Sequence, residues 1–189
     1  MVDHRINIHQ ELIDRCRNND RSAQFRIYKL YYKAMYNTAL RIINNDQDAE
    51  DIMQEAFLDA FRKIDSYQGE ASFGSWLKRI VINRAIDAVK KRKDMLSVDG
   101  DVPELPADEI KEDPVEVLTY KIEKIKEAIY DLPDKYRIIL SLHLLEGYDH
   151  EEIAEILNIN YGTVRTRYSR SRQKLLTHLK KNYINFNVN

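Results

Sequence analysis

The first 68 residues of this 189-residue chain contain neither glycine nor proline. These two residue types disfavour helices more strongly than any others, and the segment also lacks the turn-bounded Val, Ile and Thr alternation of β-strands. The sequence therefore predicts long helices, at about 7–17, 21–43 and 46–64. We predict an all-α fold with two small helical domains and no sheet.

The third predicted helix has one apolar and one acidic face. Its apolar residues recur every three or four positions, as expected for a helix with one buried side. They are Ala49, Ile52, Met53, Ala56, Phe57, Ala60, Phe61 and Ile64. Six acids and no base occur between 46 and 59. An acidic face repels DNA but suits a basic groove on a protein partner. The alternative is a solvated acidic surface.

A fourth helix is predicted after a loop at 66–71 that contains Gly69, with Ser72 as its cap. Its candidate core residues are Phe73, Trp76, Leu77, Ile80, Ala88 and Val89. Seven bases and a single acid occur between 78 and 93. The residues that align on its outer face are Arg79, Asn83, Asp87 and Lys90 or Lys91. A basic face of this kind is typical of nucleic-acid contact.

An acidic segment separates two predicted domains. Eight acids and one lysine occur between 99 and 116, together with three of the four prolines, a composition that does not bury enough apolar area to fold alone. We therefore predict a first domain at 1–96, a flexible linker at 97–113 and a second domain at 114–189. The second domain is predicted to be helical over 115–131 and again from Pro133 to Leu145, ending at Gly147.

The segment from Asp149 to Lys174 predicts two short helices joined by a three-residue turn. Asp149 and Glu152 have the spacing of a capping box, and Asn160 is a suitable cap for the second helix. The predicted buried stripe of that helix is Val164, Tyr168, Ser171 and Leu175. This layout is that of a helix-turn-helix, whose second helix enters the major groove of DNA.

The charge of the C-terminal segment favours DNA contact over a merely solvated helix. Residues 160–189 contain seven Lys or Arg and no Asp or Glu, whereas a solvated helix normally mixes charges. Arg165 is the main candidate for base contact, because an arginine can form two hydrogen bonds to guanine, worth about 1–3 kcal/mol of discrimination. Thr166 and Ser169 are further candidates, and Arg167 and Arg170 are candidates for phosphate contact.

Other classes of function find no support in the sequence. It contains no Gly-rich phosphate loop, no Gly-x-Ser-x-Gly and no His-Glu-x-x-His, and its five histidines lack the paired spacing of metal ligands. We predict no enzyme, cofactor, metal or small-molecule substrate. Cys16 is the only cysteine, and no opening apolar stretch resembles a signal peptide or membrane span. We therefore predict a cytoplasmic protein that is not inserted in a membrane.

The net charge of −1 conceals separate basic and acidic blocks. At long range the acidic blocks cancel the field of the basic ones, and most non-specific affinity for DNA comes from neutralised phosphates. We therefore expect weak binding to free DNA and a need for a protein partner.

Three segments, in this order, resemble the extracytoplasmic-function sigma factors of bacterial RNA polymerase, a subfamily of the sigma-70 family. The run from Asp48 to Phe57 is similar to region 2.2 of that family. The residues similar to region 2.4 are Phe73, Trp76, Leu77, Ile80, Asn83 and Asp87. The residues similar to region 4 are Leu132, Pro133, Arg137, Glu146, Gly147, Ile153, Ala154, Gly162, Thr163, Val164 and Arg165.

The resemblance implies a role for each segment. Region 2.2 docks on the coiled coil of the polymerase β′ subunit, which makes Asp48, Asp51, Gln54 and Glu55 the candidate polymerase-binding residues. Region 2.4 contacts the minus-10 promoter element. Region 4 reads the minus-35 element and touches the β flap, and its candidate residues are Arg165, Thr166, Arg167, Ser169 and Arg170. The resemblance also implies an anti-sigma factor that releases the protein upon a stress or envelope signal.

The candidate minus-10 residues are Tyr67, Arg79, Asn83, Lys90 and Lys91. Asn83 suits a base edge, and the three basic side chains suit phosphates. The loop around Tyr67 resembles the base-capture loop of the family, and an extruded base needs an aromatic or apolar wall. For Tyr67 the alternative is an ordinary connecting loop.

We thus interpret the chain as a sigma factor that directs core RNA polymerase to promoters. The alternative is a stand-alone helix-turn-helix regulator whose first domain senses a ligand or dimerises. A third hypothesis makes the first domain an interaction module that sequesters other proteins.

Overall fold

A computed structural model of the chain describes residues 8–96 and 122–186, and the chain divides into two compact units, Met1–Met95 and Leu96–Asn189. All regular structure in these two described ranges is helical, which confirms the predicted all-α class. The predicted linker at 97–113 lies outside the described ranges. Its limits, and those of the two domains, therefore stay predictions.

The described part of the first unit forms the helices α1 at Gln10–Arg17, α2 at Arg21–Ile43, α3 at Asp46–Arg62 and α4 at Phe73–Leu96. Local chemistry sets their ends. The Asp20 carboxylate accepts from the backbone N–H groups at the start of α2, and Asn44 ends α2 in the left-handed conformation with φ of 53°. Asn45 then caps α3 through the N–H of Asp48. The third helix is thus shorter than predicted, and a 3-10 turn, Ile64–Ser66, follows it.

The buried face of α3 agrees with the predicted apolar stripe. Ala49, Ile52, Met53, Ala56, Phe57 and Ala60 are buried along α3, Ile64 is buried in the following turn, and Phe61 is half-buried. The predicted stripe of α4 is partly wrong. Trp76, Ile80 and Ala88 are only half-buried, and the helix instead buries Phe73, Leu77, Val81, Ile82, Ala85, Ile86 and Val89. The apolar residues of α4 lie on more than one side of the helix. The elements that pack against α4 therefore decide which of these residues are buried.

The second unit contains α5 at Ile122–Tyr130, α6 at Asp134–Leu140, a π-helical turn at Ser141–Leu145, α7 at His150–Leu157 and α8 at Tyr161–Phe186. The π-helical turn, Ser141–Leu145, is where the sequence predicted a continuous α-helix. One cluster in the core of this unit comprises Ala128, Ile129, Leu132, Leu140, Leu175 and Leu179. The long helix α8 supplies two of these residues, so its C-terminal half packs against α5 and α6. The His178 imidazole lies 3.0 Å from the Asp131 carboxylate and joins α8 to the segment after α5.

Candidate functional site

The acidic face of α3 is exposed as predicted. Asp48, Asp51, Gln54 and Glu55 all lie on the solvent side of the helix. The Gln54 amide donates to the Glu50 carboxylate at 3.3 Å, one turn earlier. Acids in the first turn, Asp46 and Asp48, are also favoured there by the helix dipole. The structure therefore presents a continuous acidic surface, and whether polymerase binds it stays a prediction.

One basic residue of α4 reaches across to this surface. The Arg84 guanidinium forms an ion pair with Glu55, and its Nη2 lies 2.6 Å from Oδ2 of Asp59. Arg84 is one of the seven bases between 78 and 93 that suggest a DNA-binding face, but its charge is used between helices. A basic residue whose acidic partners lie 25 and 29 positions earlier carries no local signal of that pairing.

The outer face of α4 carries the candidate minus-10 residues. Asn83, Lys90 and Lys91 are exposed, and Arg79 is half-exposed. Asn83 and Lys91 also line an open groove between α3 and α4, whose other wall includes Glu55 and Asp59. The structure therefore brings candidate residues for the polymerase and for DNA to two sides of one groove.

The ring of Tyr67 is buried rather than exposed on the loop. Its side chain is buried, with 3% of its surface exposed, and its ring lies 5.4 Å from the rings of Phe73 and Trp76 between centroids. Its hydroxyl donates to the Ala71 carbonyl at 2.7 Å. The sequence had offered this ring as the wall of a base pocket. The structure instead gives the ring a packing role at the base of the loop, whose exposed residues are 68–72.

The predicted helix-turn-helix is formed by α7 and α8. The Asp149 carboxylate accepts from the N–H of Glu152, whose carboxylate accepts from the N–H of Asp149, so the predicted capping box is confirmed. Asn158 ends α7 with φ of 54°, and Asn160 Oδ1 accepts from the N–H of Gly162 at 2.7 Å. Three residues therefore reverse the chain between the helices, as predicted.

Helix α8 buries the predicted stripe and exposes Arg165. Val164, Ser171 and Leu175 are buried, and Tyr168 is half-buried. Ser171 is accommodated because its hydroxyl donates to the Arg167 carbonyl at 2.6 Å. Arg165 is exposed, and Thr166, Arg167, Ser169 and Arg170 are half-exposed. The Thr166 hydroxyl donates its proton to the Gly162 carbonyl at 3.0 Å within the helix, so its oxygen can only accept from a further partner.

An aromatic cluster joins α7 to α8. The rings of His143, His150 and Tyr168 lie 4.7–4.9 Å from one another between centroids, and His143 Nδ1 is 2.8 Å from the Tyr148 carbonyl. Burial lowers the pKa of His150, and the nearby His143 and Arg165 lower it further. From the sequence, the histidines had no shared role, because His143 and His150 belong to separate helical segments on either side of Gly147 and only the packing of those segments brings their rings together.

The described residues contain no cluster of three or more His, Cys, Asp or Glu side chains placed to hold a metal ion. Among the same residues, no helix has both the length and the apolar composition needed to cross a bilayer.

The chain matches two protein families in succession. Residues 27–94 match Sigma-70 region 2, and residues 122–175 match Sigma-70, region 4. The ECF RNA polymerase sigma factor SigW of Bacillus subtilis is 34% identical over 177 residues, covering 89% of this chain and 95% of that protein. The ECF RNA polymerase sigma-E factor of Haemophilus influenzae is 30% identical over 175 residues, covering 88% and 92%.

The fold is shared with solved structures, among them the following two. The sigma factor RpoE of Bartonella quintana, solved in complex with the anti-sigma factor NepR, matches with a TM-score of 0.56 and 24% identity, covering 82% of this chain and 95% of that one. CnrH, solved in complex with the cytosolic domain of CnrY, matches with a TM-score of 0.52 and 18% identity, covering 90% and 96%.

Proposed function

The chain belongs to the ECF RNA polymerase sigma factors of the sigma-70 family, and on this basis we propose how its residues divide the work of promoter recognition. As a sigma factor it binds core RNA polymerase and directs it to specific promoters. The observation that carries the residue-level proposal is the exposure of three separate surfaces of suitable charge. They are the acidic face of α3, the basic outer face of α4 and the Arg165 side of α8.

The acidic face of α3 is the proposed polymerase-binding site. Asp48, Asp51, Gln54 and Glu55 are all exposed and suit a basic groove, here the coiled coil of the β′ subunit. Glu55 enters this contact with Arg84 already beside it. The positive charge of Arg84 therefore offsets part of the negative charge of the docking surface.

The outer face of α4 and the preceding loop form the proposed minus-10 site. Asn83 hydrogen-bonds a base edge, and Arg79, Lys90 and Lys91 hold phosphates. Because the ring of Tyr67 is buried, we propose that Tyr67 contributes by shaping the loop, and that the exposed residues 68–71 contact the extruded base.

The helix-turn-helix is the proposed minus-35 site. Arg165 contacts a base, Thr166 and Ser169 add contacts, and Arg167 and Arg170 hold phosphates. The same unit touches the β flap of polymerase. The proposed domain limits are 1–96 and 114–189, with an acidic linker at 97–113.

We further propose that the protein has no enzymatic activity of its own, needs no cofactor and works in the cytoplasm. We also propose that an anti-sigma factor restrains it. Support for such a partner comes from its fold, which it shares with a sigma factor solved in complex with one.

Reconstituted transcription tests the proposal. Core polymerase from the same bacterium is combined with the purified chain and with promoter fragments upstream of start sites that overexpression of the chain induces. We expect specific transcripts that depend on the added chain. Absence of transcripts, together with specific binding of the chain alone to a palindromic site, would instead support a stand-alone regulator.

A further inference from the structure

Arg17 joins the first helix to the loop that precedes α4. Its Nη1 donates to the Asp14 carboxylate at 2.9 Å, within α1. Its Nη2 donates to the backbone carbonyl of Tyr67 at 2.7 Å, 50 residues further along the chain. One guanidinium, oriented by the carboxylate of its own helix, thus holds a peptide group at the start of the exposed loop. A hydrogen bond from a charged donor is stronger than one between neutral groups.

The far end of the same loop is also held. The buried ring of Tyr67 packs against Phe73 and Trp76, and its hydroxyl donates to the Ala71 carbonyl at 2.7 Å. The Ser72 hydroxyl accepts from the N–H of Ser75 at 3.1 Å, which anchors the start of α4. The exposed tip, residues 68–71, therefore begins and ends at carbonyl groups that the protein itself fixes.

The tip needs this support because its own backbone is permissive. Gly69 has φ of +79°, and beyond its two chain neighbours no heavy atom lies within 4 Å of the position that a Cβ would occupy there. A glycine in open space does not determine where the peptide groups on either side point. A contact loop that is ordered before binding avoids the entropy cost of ordering it upon binding.

We propose that Arg17 is a positioning residue for promoter recognition: it orients the Tyr67–Gln68 peptide so that the tip at 68–71 is ready to receive a base of the minus-10 element. This inference rests on the proposed function of the loop. Arg17 itself touches neither DNA nor polymerase in this proposal. It acts through the backbone of the loop.

The chain supplies a matched control in the same helix. Arg15 is also an arginine of α1, with 39% of its side chain exposed against 33% for Arg17. It uses its guanidinium on the Asp20 carboxylate at 2.7 Å, at the corner between α1 and α2. Replacing Arg15 removes an ion pair of α1 without removing the bond from Arg17 to the loop.

The first experiment uses the free full-length chain. Trp76 is the only tryptophan and its ring lies 5.4 Å from that of Tyr67, so its fluorescence reports on the base of the loop. We expect Arg17→Met to shift the emission to the red and to increase quenching by acrylamide, while Arg15→Met changes neither. Arg17→Lys should give an intermediate result, because lysine keeps the positive charge but lacks the planar guanidinium that donates to two acceptors at once. Emission of Arg17→Met identical to that of the wild type would overturn the proposal.

The second experiment uses the holoenzyme. We expect Arg17→Met to bind core polymerase normally but to form open complexes roughly tenfold less well, the scale of one lost hydrogen bond from a charged group. Discrimination should shrink at one position of the minus-10 element and persist at the others, an effect that general loss of stability would not produce. Arg17→Lys should recover part of it.

The outcomes distinguish failure of the proposed role of Arg17 from failure of the proposed function of the protein. Equal losses from Arg15→Met and Arg17→Met would show a general effect of α1 and overturn the role of Arg17. A wild-type chain that opens no promoter would overturn the proposed function and, with it, the promoter role of Arg17. The fluorescence experiment would still test the contact between Arg17 and the loop.

Discussion

Arg165 is the residue whose position most directly predicts sequence discrimination. It is exposed on α8, one residue after the buried Val164. We expect Arg165→Ala to relax the preference of the holoenzyme at one position of the minus-35 element, by about 1–3 kcal/mol. Binding of the holoenzyme to a set of promoters substituted at single positions measures this preference.

Lys90 provides the contrast to Arg165. A lysine that holds a phosphate does not distinguish bases, so Lys90→Ala should weaken all promoters evenly and reduce the salt dependence of binding by about one phosphate contact. If the two variants lost affinity equally and without regard to sequence, the assignment of base and phosphate contacts would be wrong.

His150 makes the stability of the second unit sensitive to acid. Burial lowers its pKa from the ordinary value of 6.5, His143 and Arg165 act in the same direction, and Asp149 opposes them. Its Nε2 is buried and has no hydrogen-bond partner among the described residues. As the pH falls below 6.5, the unfolded chain therefore takes up a proton that the folded unit resists.

We accordingly expect the free energy of unfolding of the second unit to decrease as the pH falls from about 7.5 to about 5.5. Denaturant titrations across that range measure the change. His150→Gln should show a shallower dependence on pH, whatever its stability at neutral pH. A pH dependence as steep as that of the wild type would assign the effect to other groups.

At the scale of elements, the acidic face of α3 is a charged surface whose sign can be reversed at exposed positions, although Glu55→Lys also removes the ion pair with Arg84. Gln54 and Glu55 are exposed, whereas the neighbouring Met53 and Ala56 are buried. We expect the double substitution Gln54→Lys with Glu55→Lys to abolish binding to core polymerase, because it places bases against a basic groove. Pull-down with core polymerase measures binding, and circular dichroism checks that the helices persist.

The chain contains a matched pair for this test. Gln10 and Glu11 are the same two residue types, adjacent in α1 and outside the predicted docking face. The substitution Gln10→Lys with Glu11→Lys changes the charge of the protein by the same amount and should leave polymerase binding intact. Capture of polymerase by the α3 variant would show that docking occurs elsewhere.

The capping box of α7 stabilises the first turn of the helix-turn-helix. Asp149 accepts from the N–H groups of Glu151 and Glu152, both at 2.8 Å. We expect Asp149→Ala to lower the free energy of unfolding of the second unit by about 1 kcal/mol. Asp149→Asn should retain most of the stability, because asparagine is an equally good cap. Chemical denaturation distinguishes the two variants.

At the scale of the whole molecule, the charges of the chain nearly cancel. With a net charge of −1, the chain carries basic faces on α4 and α8 and an acidic face on α3. We expect the free protein to bind a promoter fragment weakly and the holoenzyme to bind it tightly, as measured by fluorescence anisotropy at one salt concentration. Equally tight binding by the free chain would show that the minus-10 and minus-35 sites can bind promoter DNA together without polymerase.

Much of the fold followed from neighbours in the sequence. The absence of glycine and proline before Gly69, the period of the apolar residues in α3 and the caps at Ser72 and Asp149 all act over three or four residues. The limits of a helix and its apolar face are marked by such local signals, so helix positions and the exposed face of α3 were predictable. The exposure of Arg165 was predictable for the same reason.

Contacts over longer distances were not predictable. Arg84 is one of the seven bases counted between 78 and 93 and pairs with acids of α3. Tyr67 was a candidate wall for an extruded base, with an ordinary connecting loop as the alternative, and its ring is buried against Phe73 and Trp76. The buried stripe of α4 also differed from its prediction. In each case several orientations satisfy the local pattern, and the packing of another helix selects one.

The sequence by itself determined that the chain is helical, where most helices begin and end, which faces carry charge, and, through three motifs, the family. Only the tertiary structure decided which of those charged side chains are used inside the protein, and that Arg17 of α1 holds the loop before α4. The physical reason is the separation of the interacting residues along the sequence. Caps and apolar periodicity involve residues three or four positions apart, whereas the interaction between positions 17 and 67 forms only once the helices have packed.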